Sequence, residues 1–430
     1  MIGTVNAYKI AINSLLVNIR QQAVRVVPCE FATALIQNPV RQPRPAGRNA
    51  RHAEKCEVTM KRRDFLRINL AAAAAAAMSI RTTRAVAAQP SVAAGGIVDA
   101  YSHFSFIKVI DYLEEKGGQK PHVFRSLFAN TPTLIDPDRR LALMDRLGIS
   151  RSVLVPLPWL ETSPPVHADP RLCLEAAAIF NDALAATVAR RPDRFTGVAL
   201  LPTTNSEIMV AEFERAVREL KFAGGMVVTG PTAKPPDHPD FEPLYRKAAA
   251  LNAALWIHPS RPALYPDYVG EQMSQFQVWQ GLSWLLDSST AMVRLVFNGL
   301  FDRYPGIKIV IHHHGALIPL FAQRLQYGWD YFEQNTGVRQ PTAISRPYIE
   351  HFKKFYIDTA TQGNEPLLLQ MALNFFGVER VLFGSDCPMD ATAGVAFTTD
   401  AIRSVNGLQV TEAERVLIFR GNATRVLKTG

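Results

Sequence analysis

Cysteine is scarce and unpatterned in this chain. Only Cys29, Cys56, Cys173 and Cys387 occur in 430 residues. None falls in a CxxC pair or in the Cys/His spacing of a zinc ribbon, so no disulfide framework is indicated. A glycine-rich phosphate loop is missing after the first apolar run, which argues against an open dinucleotide-binding sheet. An excess of one charge is also missing from most of the chain. The net charge is +9, but residues 1–89 balance at +10 and the remainder at −1. The basic character belongs to a leader and not to a binding face, so no nucleic-acid partner is expected.

The leader carries its own signal. "MKRRDFLRINLAAAAAAAMSIRTTRAVAAQP" starts at Met60 with Arg62-Arg63, then Phe65-Leu66, an Ala-rich stretch and Ala85-Val86-Ala87-Ala88. A basic start, a short weakly apolar middle and a small-residue end are the parts of an export signal. The paired arginines resemble the twin-arginine route, which implies a periplasmic protein. The apolar run 68–78 is shorter than the roughly 18–20 residues of a membrane span, so no membrane association is expected after cleavage. Residues 1–59, polar and rich in Pro and Arg, are expected to be an annotation extension ahead of a start near Met60. The boundaries read as 1–59 extension, 60–88 signal and 95–430 body.

From residue 96 the body alternates short apolar runs with long amphipathic ones. The expected strands are Ile97–Tyr101, Ser152–Pro156, Gly197–Leu201, Gly225–Val228, Ala254–His258, Lys308–His312, Lys354–Asp358 and Arg380–Gly384. Segments such as "DPDRRLALMDRLG" and "EPLLLQMALNFFG" read as helices stopped by glycine. "WQGLSWLLDSSTAMVRLVFNGL", with Trp279 and Trp284, reads as an amphipathic helix laid against the strands. Eight strands alternating with helices indicate an α/β protein of the (β/α)8, or TIM-barrel, class.

Barrels of this kind carry their chemistry at the C-terminal strand ends. Strand one ends at His103, with Tyr101 two residues earlier on the same face. Strand five ends at His258, strand six at His312-His313-His314 and strand eight at Asp386. A single strand-end histidine is more often structural, and Asp386 before Cys387-Pro388 is also suited to shaping a loop. Four such ends at one mouth are a stronger signal. Imidazoles and a carboxylate converging there suit one divalent metal.

The body resembles the amidohydrolase-related decarboxylase group, which includes aminocarboxymuconate-semialdehyde decarboxylase and gamma-resorcylate decarboxylase. The stretches that carry the resemblance are "VDAYSH", "LALMDRLGISRSVLVP", "LWIHPSRP", "GLFDRYPGIKIVIHHHGALIP", "FYIDTA" and "RVLFGSDCPM". It implies a metal-dependent barrel with His103, His258 and Asp386 as ligands. It makes His313 the catalytic histidine of strand six, beside the metal. Tyr101 stands where the family carries another ligand, as a fourth ligand or a substrate contact. Zinc is the expected metal, with manganese or magnesium as alternatives.

The implied reaction is non-oxidative decarboxylation of a small aromatic or unsaturated acid, with His313 and Asp386 catalytic. Hydrolysis of a lactone, ester or amide uses the same parts and is the second reading; a non-catalytic exported barrel is the third. Arg261 is a candidate anchor for the substrate carboxylate, with Arg171 and Arg151 as further candidates. The partners expected are a small-molecule substrate and, by family habit, a second copy in a homodimer.

Overall fold

The computed structural model describes residues 95–337, 345 and 347–427. The extension and the export signal expected at 1–59 and 60–88 lie outside the described residues.

Eight parallel strands form one sheet in sequential order. They are β1 (Ile97–His103), β2 (Ile149–Val155), β3 (Phe195–Leu200), β4 (Gly224–Thr229), β5 (Ala254–Pro259), β6 (Lys308–Ile311), β7 (Tyr356–Asp358) and β8 (Val381–Leu382). After β1 an 11-residue helix at Ile107–Gly117 comes first. Each strand is then followed by a helix. These are α1 (Pro137–Leu147), α2 (Pro170–Arg190), α3 (Ser206–Arg218), α4 (Glu242–Leu251), α5 (Trp284–Phe297), α6 (Ile318–Thr336), α7 (Pro366–Phe376) and α8 (Val395–Asn406). All eight expected strands are present, so the (β/α)8 reading holds.

The sheet closes through backbone bonds between β1 and the segment after β8. Ala100 N–H donates to Phe383 O at 2.7 Å, His103 N–H to Cys387 O at 2.6 Å, and Asp386 N–H to Tyr101 O at 3.0 Å. This seam sets Tyr101, His103 and Asp386 side by side. β8 is shorter than its apolar run suggests because its backbone leaves the ladder early. Phe383 N–H turns to Ile418 O at 2.9 Å and Gly384 N–H to the Thr359 hydroxyl at 3.0 Å.

Burial explains why the strands read as continuous apolar runs. β1, β3, β4 and β5 are buried along their whole length, between the barrel interior and the helix ring. Trp256 fills the interior and spans it, its indole N–H donating to Ala100 O at 3.2 Å. The helices start and stop where local chemistry requires. Asp136, Asp169 and Asn205 cap α1, α2 and α3 by accepting backbone N–H groups, and Gly148 ends α1 at φ 73.

One buried charge ties a helix to the end of β1. Arg140 of α1 is 1 % exposed and donates to His103 O at 2.6 Å and Thr133 O at 3.0 Å. An apolar replacement would leave the His103 carbonyl buried without that donor. Arg140→Leu is therefore expected to lower stability by about 1–3 kcal/mol. Urea unfolding monitored by circular dichroism checks this; an unchanged midpoint would show that the contact contributes nothing.

Candidate metal centre and its cavity

The C-terminal end of the barrel gathers most of the residues named from the sequence. His103 Nε2 has three polar neighbours: Tyr101 Oη at 3.0 Å, His258 Nε2 at 3.3 Å and Asp386 Oδ1 at 3.3 Å. All four residues are at most 3 % exposed. His103 Nδ1 lies 3.3 Å from Val155 O, and His258 Nδ1 lies 2.6 Å from Pro259 O. A carbonyl can only accept, so each imidazole carries its proton on Nδ1. The two Nε2 atoms face each other across 3.3 Å, and that of His103 also faces the Asp386 carboxylate.

That arrangement fits a cation. Ligating histidines usually donate their other N–H to a carbonyl or carboxylate, which fixes the ring and its tautomer. Two ligands about 2.1 Å from one tetrahedral ion stand roughly 3.4 Å apart, near the two edges found here. Among the described residues no group of three or more His, Cys, Asp or Glu side chains stands in a geometry that could hold a metal ion as placed. The side chains touch one another instead, and these are the residues that would hold a shared ion. Tyr101 is a neutral phenol. Burial, then the Asp386 and Asp358 carboxylates, holds its pKa well above the usual tyrosine range.

His313 stands beside this set with both ring nitrogens buried and unpaired. Its Nε2 is 3.7 Å from Asp386 Oδ2, too long for a hydrogen bond and close enough for charge attraction. Burial disfavours its charged form, but Asp386 and then Asp358 outweigh this and raise its pKa. Asp386 shows the converse. Burial pushes it up, yet His103 and His313 hold it well below the usual carboxylate range. His258 is pushed well below the usual histidine range by burial and by its histidine neighbours His103 and His312.

The turn after β6 that presents His313 is conformationally costly. His313, His314 and Ala316 have φ of 61, 58 and 57, in the left-handed region that residues with a Cβ seldom adopt. Asp358, at the end of β7, holds it. Its Oδ1 accepts His313 N–H at 3.0 Å and Ala360 N–H at 3.1 Å, and its Oδ2 meets His312 Nδ1 at 2.6 Å. His312 in turn stacks on Tyr101, with ring centroids 3.6 Å apart and planes 21° from parallel. Neither Asp358 nor His312 has any exposure, and burial pushes Asp358 up to about 7. Asp358 has no role in the sequence reading, although "FYIDTA" places it at a strand end by the same rule that found His258 and Asp386.

Arg261 is not brought to this cluster. Asp287 holds its guanidinium by two bonds, Nη2 to Oδ1 at 2.8 Å and Nε to Oδ2 at 3.1 Å, and the ring of Tyr265 lies 4.7 Å away. Arg151 donates to Pro192 O and Arg171 to Glu175. A cavity of about 210 Å³ opens beside His313 instead. Trp284, Leu317, Gln362, Leu368 and Met371 are among its walls. Trp284, expected only to pack against the barrel, also lies near the metal donors, its ring 6.0 Å from that of His258. Gln362 Nε2–H donates to Asp386 Oδ2 at 3.3 Å.

The sequence profile of the amidohydrolase family (Amidohydro_2) matches residues 103–429. The chain belongs to this family. The match begins at His103 and takes in every donor described above except Tyr101. Gamma-resorcylate decarboxylase of Rhizobium radiobacter is 29% identical over 309 residues, covering 68% of this chain and 86% of that protein. The crystal structure of 2,6-dihydroxybenzoate decarboxylase from Rhizobium superposes with a TM-score of 0.61 at 28% identity, over 77% of this chain and 98% of that one. Dihydroxybenzoic acid decarboxylase from Polaromonas sp. JS666, solved with manganese and the inhibitor 2-nitroresorcinol, gives 0.60 at 25% identity, over 77% and 97%. Other family members of similar fold include a 5-carboxyvanillate decarboxylase. The resemblance seen in the sequence is therefore confirmed, and a divalent metal is supported for the site.

Metal content measured on purified protein checks the ligand set. The unaltered chain is expected to retain about one divalent ion per chain, and His258→Ala and Asp386→Ala well under half of that. Equal metal in all three would remove these residues from the site.

Proposed function

We propose that the chain is a metal-dependent, non-oxidative decarboxylase of a small aromatic carboxylic acid. The observation that carries this is the placement of His313. Its unpaired ring nitrogens sit at the wall of an apolar cavity, next to the donor set of His103, His258 and Asp386. The decarboxylase relatives support the same reading.

A bound metal would supply Lewis acidity to the oxygens of the substrate carboxylate and a neighbouring hydroxyl. The residues of the chain do the rest. His103, His258 and Asp386 would hold that ion at the inner end of the site. His313 delivers a proton to the ring carbon that bears the carboxylate. The carbon–carbon bond then breaks, its electron pair returns to the ring, and carbon dioxide departs. Solvent reprotonates His313. Asp386, hydrogen-bonded by Gln362, keeps negative charge facing the histidine. Trp284 and Leu317 exclude water from the reacting face.

Two imidazoles and one carboxylate suit zinc, and we propose zinc as the native ion. Manganese, found in the Polaromonas enzyme, suits the same donors. We also propose a periplasmic location, reached through the twin-arginine signal read at 60–88. A homodimer is supported by the exposed apolar side chains of Leu286 on α5 and of Phe321, Tyr327, Tyr331 and Phe332 on α6.

The test is release of carbon dioxide from 2,6-dihydroxybenzoate by zinc- or manganese-loaded protein. His313→Ala is expected to lower kcat by about 10²–10⁴-fold while metal content stays the same. Lactone hydrolysis without carbon dioxide release would overturn the reading. Asp358→Asn, which disturbs the support beneath His313, is expected to lower kcat about 10–100-fold with little change in KM. A change confined to KM would show that Asp358 serves substrate binding instead.

A further inference from the structure

We infer that His312 is a metal ligand as well, so that three imidazoles, those of His103, His258 and His312, join the Asp386 carboxylate on one divalent ion. This rests on the metal-dependent reading of the site and deepens it.

The strands place His312 level with the other donors. Trp256 of β5 pairs with Val310 of β6, and Ile257 with Ile311. One step further along both strands brings His258 beside His312. Residues in register on neighbouring strands share a face, and side chains alternate along each strand. His312 therefore points into the barrel as His258 does, in the layer above Trp256 and Val310. His313, next in sequence, leaves this alternation at φ 61.

The ring of His312 is held so that its tip nitrogen is the free one. Nδ1 lies 2.6 Å from Asp358 Oδ2, and Tyr101 stacks on one face at 3.6 Å. Nε2 is buried and has no hydrogen-bond partner, on a residue with no exposure. An ionised Asp358 accepts, which puts the imidazole proton on Nδ1 and leaves a lone pair on Nε2. The opposite tautomer would leave an N–H at Nε2 buried with no acceptor. A carboxylate that fixes one nitrogen while the other is turned inward is the usual setting of a metal-binding histidine.

The spacing of the rings agrees. An imidazole centre lies about 3.2 Å from an ion held at Nε2, so two such ligands on one tetrahedral ion have centres roughly 5.2 Å apart. The rings of His103 and His258 are 5.1 Å apart, and those of His258 and His312 are 5.5 Å apart. Tyr101 does not complete the set, being a neutral phenol whose hydroxyl lies 3.0 Å from His103 Nε2. His103, His258 and Asp386 alone leave a tetrahedral ion one protein donor short, and His312 supplies it. A substrate oxygen then enters as a fifth ligand, which zinc permits.

X-ray absorption at the zinc edge, on the zinc-loaded full chain, counts the imidazoles directly. Three are expected for the unaltered chain, two for His312→Phe and three for His313→Phe. Phenylalanine keeps a ring to stack on Tyr101 and removes the nitrogen. Zinc affinity, measured by competition with a chelator, is expected to fall more than about a hundredfold in His312→Phe. Loss of support around a ligand costs roughly 10–100-fold, and Asp358→Asn is expected in that range. The count on the unaltered chain does not depend on any variant folding. Two imidazoles there, or a count that drops with His313→Phe and not with His312→Phe, overturns this inference and leaves the metal-dependent reading standing. No zinc bound by the unaltered chain overturns both.

Discussion

The Asp358 carboxylate is the constraint on which the site depends. One oxygen accepts the backbone N–H groups of His313 and Ala360, and the other meets the His312 ring at 2.6 Å. The first contact holds a turn that a residue with a Cβ would not choose, with His313 at φ 61. The second holds the His312 ring, which stacks at 3.6 Å on Tyr101. A single buried group thus couples His313 to Tyr101. Because these atoms have no solvent access, each unmade bond would leave a buried polar atom unsatisfied, and this narrows the arrangements open to the turn.

Barrel closure supplies the other half of the geometry. His103 and Asp386 are 283 positions apart in the chain but meet at 3.3 Å because the segment after β8 bonds back to β1. His258 reaches them from β5 on the far side of the ring, at the same end of its strand. Their low exposure makes the electrostatics strong. In water a charge pair at this distance is worth only about 1 kcal/mol; here, buried, His103 and His313 hold Asp386 ionised against the cost of desolvation. Backbone carbonyls orient the imidazoles, since Val155 O and Pro259 O set which nitrogen of each histidine faces inward.

Much of this was legible in the sequence. Parallel strands buried on both faces must be apolar throughout, so eight such runs could be counted. Strand ends carry function in a barrel, so His103, His258, His313 and Asp386 could be named from position and resemblance. Arg261 could not be settled in that way. It follows His258 by three residues, but Asp287, on the next helix, claims its guanidinium. Trp284 read as a packing residue because its helix is amphipathic, and an amphipathic pattern does not say whether the apolar face meets a wall or a cavity. The family profile covers the barrel from His103 onward and agrees with the strand-end reading.

By itself the sequence determined the barrel, the end of the barrel that carries the chemistry, and the residue types of a metal site. Periodicity and burial are properties of segments, so a linear reading recovers them. Only the tertiary structure decided which donors touch, which nitrogen of each histidine faces the others, and that Asp358 bears the turn beneath His313. Those outcomes depend on distances between elements far apart in the chain, and on carbonyls whose direction no side-chain pattern encodes.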